Sequence, residues 1–299
     1  MPPCVRGEIV QLKQILTSAI TRFTAERVPS ARLNAELLLM FTLNCDRAYL
    51  FAHPERELTA DEQARYESAM AERARGVPAQ YVTGHQEFWG MDLIVTPAVL
   101  IPRPETEHVI EAVLKLASEK KPGGQECPPH TTRVLDVGTG SGCIALALAK
   151  EFPHAEIHAS DISAAALEIA RANAARLQFE SRIQFHQADL FQGLNLIDLD
   201  LVVSNPPYVG ESEEDQVQLE VRKFEPRRAV FAGVSGTEII ARLIPQAHAA
   251  LRPGGWLIME ISGTIADATK HLLSGWDDVG VSRDLQSIPR VAQARKPQR

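Results

Sequence analysis

Short apolar runs alternate with longer helical patterns from Arg133 onward, and this alternation constrains the possible fold more than any other feature. The patterns predict strands at residues 133–137, 155–160, 182–187, 199–204 and 255–261. They predict helices at residues 141–151, 163–177 and 236–251. Because strands that alternate with helices form mainly parallel sheets covered on both faces, we predict an α/β fold. In such a fold, ligands bind beyond the carboxyl ends of the strands.

The first part of the chain has a different pattern. Residues 1–85 carry apolar positions at helical spacing, and two sites mark predicted helix starts. Ser30 is placed to cap one helix, and Thr59 with Glu62 has the spacing of a capping box. We predict that residues 1–85 form a helical domain that docks the substrate.

An extended segment at residues 86–104 is predicted to link the two parts, with a hairpin or bend at Gly90. Residues 105–299 are then predicted to form the α/β domain, whose first helix ends near Glu119. Glu105 and Glu107 suit the first turn of that helix, because carboxylates are stabilised at a helix N-terminus.

Composition narrows the possible partners. The 299 residues are 45% apolar, which is enough for a sizeable core, and their formal net charge is −7. This charge disfavours nucleic acid, because nucleic-acid binders usually present a basic face. The chain shows neither an apolar run of membrane-spanning length nor a signal-peptide pattern. We therefore expect a cytoplasmic protein with no membrane partner.

The cysteines and histidines predict no metal site. No two cysteines have CxxC spacing, and the histidines are scattered along the chain. Few and scattered cysteines also fit a reducing compartment. The residues considered are Cys4, Cys45, Cys127, Cys143, His85, His108, His154, His158 and His186.

A glycine-rich loop follows the first predicted strand of the α/β domain. The loop is Gly138-Thr139-Gly140-Ser141-Gly142, and Asp136 lies just before it. Glycines allow positive φ angles and a close approach of the backbone to a ligand. Cys143 occupies the position where a dinucleotide-binding loop would have glycine or alanine, so pyrophosphate binding is disfavoured. Asp136 is placed to orient the loop or to face a positive group of the ligand.

Two further carboxylates end the next two predicted strands. Asp161 is placed to accept hydrogen bonds from the hydroxyls of a ribose, and Asp189 to meet an adenine ring. Ribose acceptors, a tight loop and no phosphate cradle are what S-adenosylmethionine requires. We therefore predict that this cofactor binds here.

The fourth predicted strand stops at Asn205-Pro206-Pro207-Tyr208. Proline restricts the backbone and cannot donate to a sheet, so this turn is stiff. The Asn205 side-chain oxygen and the Pro206 carbonyl can together accept both hydrogens of a planar NH2 group, and Tyr208 can stack on it. Such a corner would hold an amide or ring nitrogen toward a methyl donor. We predict Asn205, Pro206 and Tyr208 as catalytic residues, and Asn205, Pro206, Pro207 and Tyr208 as substrate-binding residues.

The sequence resembles the bacterial release factor N5-glutamine methyltransferases over nearly its whole length. The resemblance is carried by residues 87–90 (Glu-Phe-Trp-Gly), 100–107 (Leu-Ile-Pro-Arg-Pro-Glu-Thr-Glu), the glycine loop, residues 205–208 and residues 224–226 (Phe-Glu-Pro). It implies a Rossmann-like class I methyltransferase sheet with a small N-terminal helical domain. It also implies methylation of the glutamine in the Gly-Gly-Gln loop of class 1 peptide chain release factors. The implied cofactor contacts are Gly138, Thr139, Gly140, Ser141, Gly142, Asp161, Leu190 and Asn205.

The sequence departs from that family pattern in two places. Leu190 stands where some members carry an aromatic residue beside the adenine. After the fifth predicted strand, Glu260-Ile261-Ser262-Gly263 replaces the common Glu-Ile-Gly stretch, and Ile265 replaces a nearby glutamine. Neither departure touches residues 205–208.

Two other functions are compatible with these residues. An adenine-N6 methyltransferase acting on DNA or RNA would also need a corner for a planar NH2, and a non-catalytic module could bind S-adenosylmethionine alone. Three remaining features have simpler interpretations. Arg103 is predicted to be a structural hydrogen-bond donor. Residues 211–215 are predicted to form a solvated acidic loop, with a lid or a docking edge for a basic partner as the alternatives. Gly123-Gly124-Gln125 matches the Gly-Gly-Gln substrate motif, and this match is interpreted as a coincidence.

Overall fold

The computed structural model describes residues 10–119 and 132–298. The chain divides into a helical unit, Met1–Gly84 with Leu219–Phe224, and a sheet unit, His85–Gln218 with Glu225–Arg299. Cys4, Cys127 and the Gly123-Gly124-Gln125 triplet lie outside the described residues.

The described residues form twelve helices and eleven strands, besides three short 3-10 turns at Pro104–Thr106, Glu211–Gln216 and Gly263–Ile265. The helices are α1 (Leu12–Ala25), α2 (Ala31–Leu43), α3 (Arg47–Ala52), α4 (Ala60–Ala74), α5 (Ala79–Thr83), α6 (Glu107–Glu119), α7 (Cys143–Glu151), α8 (Ala164–Arg176), α9 (Leu219–Phe224), α10 (Arg227–Val230), α11 (Glu238–Ala250) and α12 (Ala266–Leu272). The strands are β1 (His85–Phe88), β2 (Met91–Ile94), β3 (Arg133–Val137), β4 (Glu156–Asp161), β5 (Ile183–Gln187), β6 (Leu199–Ser204), β7 (Val209–Gly210), β8 (Phe231–Gly233), β9 (Leu251–Glu260), β10 (Asp277–Arg283) and β11 (Pro289–Arg295). None of these helices is long and apolar enough to cross a membrane.

The helical unit comprises α1–α5 and α9, and its apolar core is formed by residues between Val10 and Val82. Phe23 and Tyr66 are fully buried in it, and the Tyr66 hydroxyl donates to the Ala35 carbonyl at 3.0 Å. The capping box predicted before α4 is present. Thr59 Oγ1 accepts from the Glu62 amide, and the Glu62 carboxylate accepts from the Thr59 amide.

The cap predicted at Ser30 is wrong in its chemistry. Ser30 does precede α2, but its φ is +49° and its side chain makes no capping hydrogen bond. In this left-handed conformation the serine hydroxyl accepts no hydrogen bond from a backbone amide of the first turn of α2. The Asn34 side chain instead donates to the Pro29 carbonyl at 2.7 Å.

In the sheet unit, the hairpin predicted at Gly90 is present. Phe88 pairs with Met91, and the two turn residues, Trp89 and Gly90, have φ angles of +53° and +67°. Two successive positive φ angles define the turn that best matches the twist of paired strands. Glycine at the second position allows that turn at little cost.

The main sheet has seven strands in the order β10-β11-β9-β6-β3-β4-β5. The five strands predicted from the sequence, β3, β4, β5, β6 and β9, pair in parallel, which confirms the predicted α/β fold. The antiparallel pair β10 and β11 was not predicted. Most of β10 is exposed, so it lacks the apolar pattern that would reveal a strand.

The central strands are buried on both faces. All six residues of β6 are buried, and its four apolar side chains are divided between two apolar clusters on opposite sides of the sheet. Leu201 and Val203 face one cluster, and Leu199 and Val202 face the other. Two-sided burial explains why such strands appear in the sequence as nearly continuous apolar runs.

Candidate active site

The candidate site lies where the strand order reverses. From β3 the chain proceeds outward to β4 and β5, and then returns to the other side of β3 with β6. A crevice forms at the carboxyl ends of strands at such a switch point. The glycine loop follows β3, Asp161 ends β4, and Asn205 follows β6.

The glycine loop keeps its backbone open toward that crevice. Gly138 and Gly140 have φ angles of +75° and +55°, and a Cβ added to either would meet nothing within 4 Å. Gly142 is different, because a Cβ there would lie 3.3 Å from the Ala170 Cβ. The first two glycines therefore provide open backbone beside the crevice, and the third permits close packing against α8.

Asp136 stabilises the conformation of the glycine loop through two hydrogen bonds. Its Oδ2 accepts from the Thr139 hydroxyl at 2.6 Å and from the Ala145 amide at 3.2 Å. The side chain is fully buried, and burial raises the pKa of Asp136 to about 7. Its Oδ1 is buried without a hydrogen-bond partner among the described residues. The Thr139 hydroxyl is occupied by Asp136, whereas Ser141 is buried in the loop itself.

Asp161 is directly tied to the glycine loop. Its Oδ2 accepts from the Gly140 amide and its Oδ1 from the Ser163 amide, each at 2.9 Å. Burial raises the pKa of Asp161. A carboxylate offers about four acceptor positions, so these two bonds leave acceptor capacity for a ligand.

The structure places Asp189 and Leu190 just after β5, where Asp189 is paired with a neighbouring helix. Asp189 Oδ2 accepts from Arg242 of α11 at 2.6 Å. Leu190 has a φ of +56° and packs partly buried against the apolar cluster on the α11 side. The assignment of both residues to the adenine stays a prediction.

The corner after β6 presents two unused acceptors. Asn205 Nδ2 donates to the Thr106 hydroxyl at 3.0 Å, which fixes one end of its amide. Neither Asn205 Oδ1 nor the Pro206 carbonyl is hydrogen-bonded within the described residues. Asn205 is half-buried and Pro206 buried, as is expected for the wall of a crevice. Pro207 is half-buried beside them.

Glu260, at the end of β9, connects the other side chains of this corner. Its Oε2 accepts from the Thr106 hydroxyl at 2.6 Å and its Oε1 from the Tyr208 hydroxyl at 2.9 Å. Burial raises the pKa of Glu260, and burial likewise raises that of Tyr208. The hydroxyl of Tyr208 is thus committed within the protein, and its ring packs partly buried against the apolar cluster that also contacts α11. The stacking of Tyr208 on a substrate stays a prediction.

Sequence reasoning assigned no role to Thr106 or Glu260. One feature of the sequence could have pointed to Glu260, because this carboxylate ends a mostly buried strand in the same way as Asp161 ends β4. Nothing in the sequence indicates that Thr106, in the turn before α6, meets both Glu260 and Asn205.

The segment before Thr106 is held by an ion pair. Arg103 bonds to Glu225, and Glu225 Oε2 also accepts from the Ile101 amide at 3.1 Å. Glu225 is buried, and it belongs to the Phe-Glu-Pro stretch at residues 224–226. Arg103 is therefore a structural donor. The acidic residues 211–215 form a 3-10 turn in which Glu214 pairs with Arg227 at 2.5 Å.

Two histidines that lie far apart in the sequence meet in the folded structure. His158 of β4 and His186 of β5 lie on neighbouring strands, with 3.0 Å between His158 Nδ1 and His186 Nε2. His158 is buried and also contacts Glu156 at 2.8 Å. Within residues 10–119 and 132–298, no three potential metal ligands come together.

Comparison with solved structures defines the class of protein. The hMettl16 catalytic domain in complex with a MAT2A 3′UTR hairpin matches with a TM-score of 0.53 and 17% identity, covering 82% of this chain and 84% of that one. The T. thermophilus 16S rRNA methyltransferase RsmC, in complex with AdoMet and guanosine, matches with a TM-score of 0.52 and 18% identity, covering 71% and 49%. At these identities the likeness shows the fold, which is that of a class I methyltransferase.

Sequence comparison defines the family. Residues 14–84 match the model of the PrmC N-terminal domain, and residues 125–223 match that of the methyltransferase small domain. The release factor glutamine methyltransferase of Koribacter versatilis is 57% identical over 96% of this chain and 99% of its own length. That of Geobacter sulfurreducens is 37% identical over 97% and 98%. The chain belongs to the release factor glutamine methyltransferase family, which confirms the resemblance seen in its sequence motifs.

Proposed function

We propose that this protein transfers a methyl group from S-adenosylmethionine to the side-chain amide nitrogen of a glutamine. The substrate would be the glutamine of the Gly-Gly-Gln motif in class 1 peptide chain release factors, in line with the names of the relatives. One observation carries the proposal. Asn205 Oδ1 and the Pro206 carbonyl are neighbouring acceptors that have no hydrogen-bond partner in the described part of the chain, on a stiff turn at the switch point of the sheet.

The residues of the crevice fit S-adenosylmethionine. The open backbone at Gly138 and Gly140 leaves room for a ligand. The buried Oδ1 of Asp136, which has no partner among residues 10–119 and 132–298, is an acceptor suited to a cationic group. Asp161 has spare acceptor capacity for ribose hydroxyls. We assign cofactor binding to the five loop residues, Gly138, Thr139, Gly140, Ser141 and Gly142, and to Asp161, Asp189, Leu190 and Asn205. When bound, the cofactor supplies an electrophilic methyl carbon on a sulfonium.

The protein's contribution is orientation and electrostatics. A glutamine amide is a weak nucleophile, because its nitrogen lone pair is delocalised into the carbonyl. If Asn205 Oδ1 and the Pro206 carbonyl accept its two hydrogens, one face of the nitrogen is presented for in-line attack. Both acceptors also stabilise the positive charge that develops on nitrogen as the N–C bond forms and the S–C bond breaks. The nitrogen then releases a proton to water, and no strong base is needed.

The helical unit is proposed to dock the release factor. Its sequence from residue 14 to 84 matches the PrmC N-terminal domain. Among its described residues, Leu33 and Phe41 of α2 and Phe51 of α3 are large apolar side chains that remain 58%, 47% and 52% exposed. Exposed apolar side chains of this size are suited to contact with another protein.

The proposal is tested by incubating the purified protein with a class 1 release factor and methyl-labelled S-adenosylmethionine, followed by peptide mapping. We expect one label, on the glutamine of the Gly-Gly-Gln motif. A release factor with that glutamine replaced by asparagine is the matched control and should remain unlabelled. Labelling of DNA or RNA oligonucleotides but not of the release factor would establish adenine-N6 methylation instead. Cofactor binding without turnover on any of these substrates would indicate a non-catalytic module.

A further inference from the structure

The amide of Asn205 could in principle present either of its two ends to the substrate. Only the carbonyl end can accept hydrogens from a glutamine NH2, whereas the NH2 end would meet it donor to donor. The proposed function therefore requires that something fix which end faces the crevice. The hydrogen bonds that join Asn205, Thr106 and Glu260 fix this orientation.

The polarity of this chain of hydrogen bonds is set at Glu260. Both oxygens of Glu260 accept, one from the Thr106 hydroxyl and the other from the Tyr208 hydroxyl, and a hydroxyl has a single hydrogen to donate. The Thr106 hydroxyl donates to Glu260 Oε2 at 2.6 Å, so toward Asn205 it can only accept. Asn205 must therefore turn its Nδ2 toward Thr106, where the distance is 3.0 Å. Its Oδ1 is left for the crevice.

We propose that Thr106 and Glu260 are positioning residues that hold the Asn205 amide with its oxygen toward the substrate nitrogen. This inference rests on the proposed methyl transfer to a planar NH2. Thr106 is 1% and Glu260 1% exposed, so water does not compete for these bonds. The Tyr208 hydroxyl occupies the second oxygen of Glu260 and completes the set of donors around it.

The positioning role of Thr106 is tested by a substitution that removes its hydroxyl but keeps the shape of the side chain. T106V should lower kcat on the release factor by roughly 10- to 100-fold, because it removes the bond that selects the orientation of an essential acceptor. T106S keeps the hydroxyl and should stay within about threefold of the wild type, since the same bonds remain available. The affinity for S-adenosylhomocysteine, measured by calorimetry, should be unchanged in both variants.

A matched control is available at Thr269 of α12. This threonine is fully buried, like Thr106, but its hydroxyl has no partner within the described residues. T269V should leave kcat unchanged. Equal kcat values for T106V and T269V would overturn the inference, as would a loss in T106S as large as that in T106V.

Glu260 is tested through its coupling to Thr106. E260Q should lower kcat about tenfold, because glutamine offers one acceptor where the carboxylate offers two to the hydroxyls. In the T106V background, E260Q should cost less than about threefold, because residues that act through one another are non-additive. Independent, multiplicative losses would overturn the inference. If T106V folds poorly, E260Q alone decides the case: full turnover with unchanged S-adenosylhomocysteine affinity would overturn the inference. A wild-type protein that methylates no release factor would overturn the proposed function itself, whereas an active wild type with unaffected variants would overturn only the positioning role.

Discussion

The glycine loop and the acceptor corner lie at the same edge of the sheet but are held in shape by different means. The loop is fixed over shorter separations in the sequence, since Asp136 reaches Thr139 three positions away and Ala145 nine positions away, and Asp161 reaches Gly140 21 positions away. The corner is fixed by side chains far apart in the sequence. Asn205 and Thr106 are 99 positions apart, and Thr106 and Glu260 are 154 apart.

This difference affects how each part should respond to substitution. The loop contributes several backbone groups to a ligand, so the loss of one side chain leaves the others in place. The corner offers two acceptors, and a single amide supplies one of them. A change at the corner should therefore reduce turnover strongly, whereas a change at the loop should reduce cofactor affinity more moderately.

The largest effect is expected for Asn205→Ala. Turnover should fall by roughly 10²–10³, which is typical for the loss of one preorganised contact to a charge that develops in the transition state. Cofactor affinity should fall much less, since most of its proposed contacts lie elsewhere. Single-turnover kinetics and calorimetry measure the two quantities separately. An equal loss of cofactor affinity would mean that Asn205 serves mainly the cofactor, and the contrast between corner and loop would fail.

The next effect is expected for Asp161→Ala. This change removes the proposed acceptor of the ribose hydroxyls and also releases the Gly140 amide, so cofactor affinity should fall roughly 10- to 100-fold. Asp161→Asn is the matched variant, because it keeps one acceptor oxygen at the same place, and it should lie between Asp161→Ala and the wild type. Calorimetry that gives unchanged affinity for Asp161→Ala would contradict the ribose assignment.

The two parts also differ in how far the sequence predicts them. The glycine loop could be located because its elements are local: an apolar strand, an acidic residue, three glycines and a helix within a short stretch. The residues of the corner, Asn205-Pro206-Pro207-Tyr208, could be located for the same reason. The bonds that orient Asn205 could not, because they depend on which strand ends meet in the folded sheet.

The same reasoning explains the errors in the fold. The parallel strands were predicted because they are buried on both faces, but β9 begins at Leu251 rather than at residue 255. Pro253, Gly254 and Gly255 look like a turn, and the ladder between β6 and β9 indeed has an irregularity near this point. The pair β10 and β11 was missed because its stability comes from pairing with β9 and not from a pattern within its own sequence.

A pH test sharpens the description of the loop. Burial raises the pKa of Asp136 to about 7 from the ordinary value of 3.8, so the carboxyl is mostly ionised only above pH 7. Binding of the cationic cofactor should therefore strengthen as the pH rises through about 7. In the free protein the sign is opposite: the folded state holds this proton more tightly than the unfolded chain, so the contribution of Asp136 to stability declines as the pH rises from about 4 to 7.

Asp136→Asn is the variant that tests this. Its amide oxygen can still accept from Thr139 and Ala145, so the loop should keep its shape, while the pH dependence of cofactor affinity should flatten. Calorimetry at several pH values measures it. A wild-type affinity that does not change between pH 6 and 8 would show that Asp136 only braces the loop.

The smallest effects are expected in the helical unit, where two local signals had different outcomes. Thr59→Ala removes a formed cap of α4 and should lower the free energy of unfolding by about 1 kcal/mol. Ser30→Ala removes no capping bond and should change it little, whereas Ser30→Gly should raise it by about 0.5–1 kcal/mol, because glycine adopts the φ of +49° without steric cost. Urea unfolding of the full chain measures all three variants. A Ser30→Ala loss as large as that of Thr59→Ala would show that Ser30 caps α2 after all, and local signals would then suffice throughout the helical unit as they do in the glycine loop.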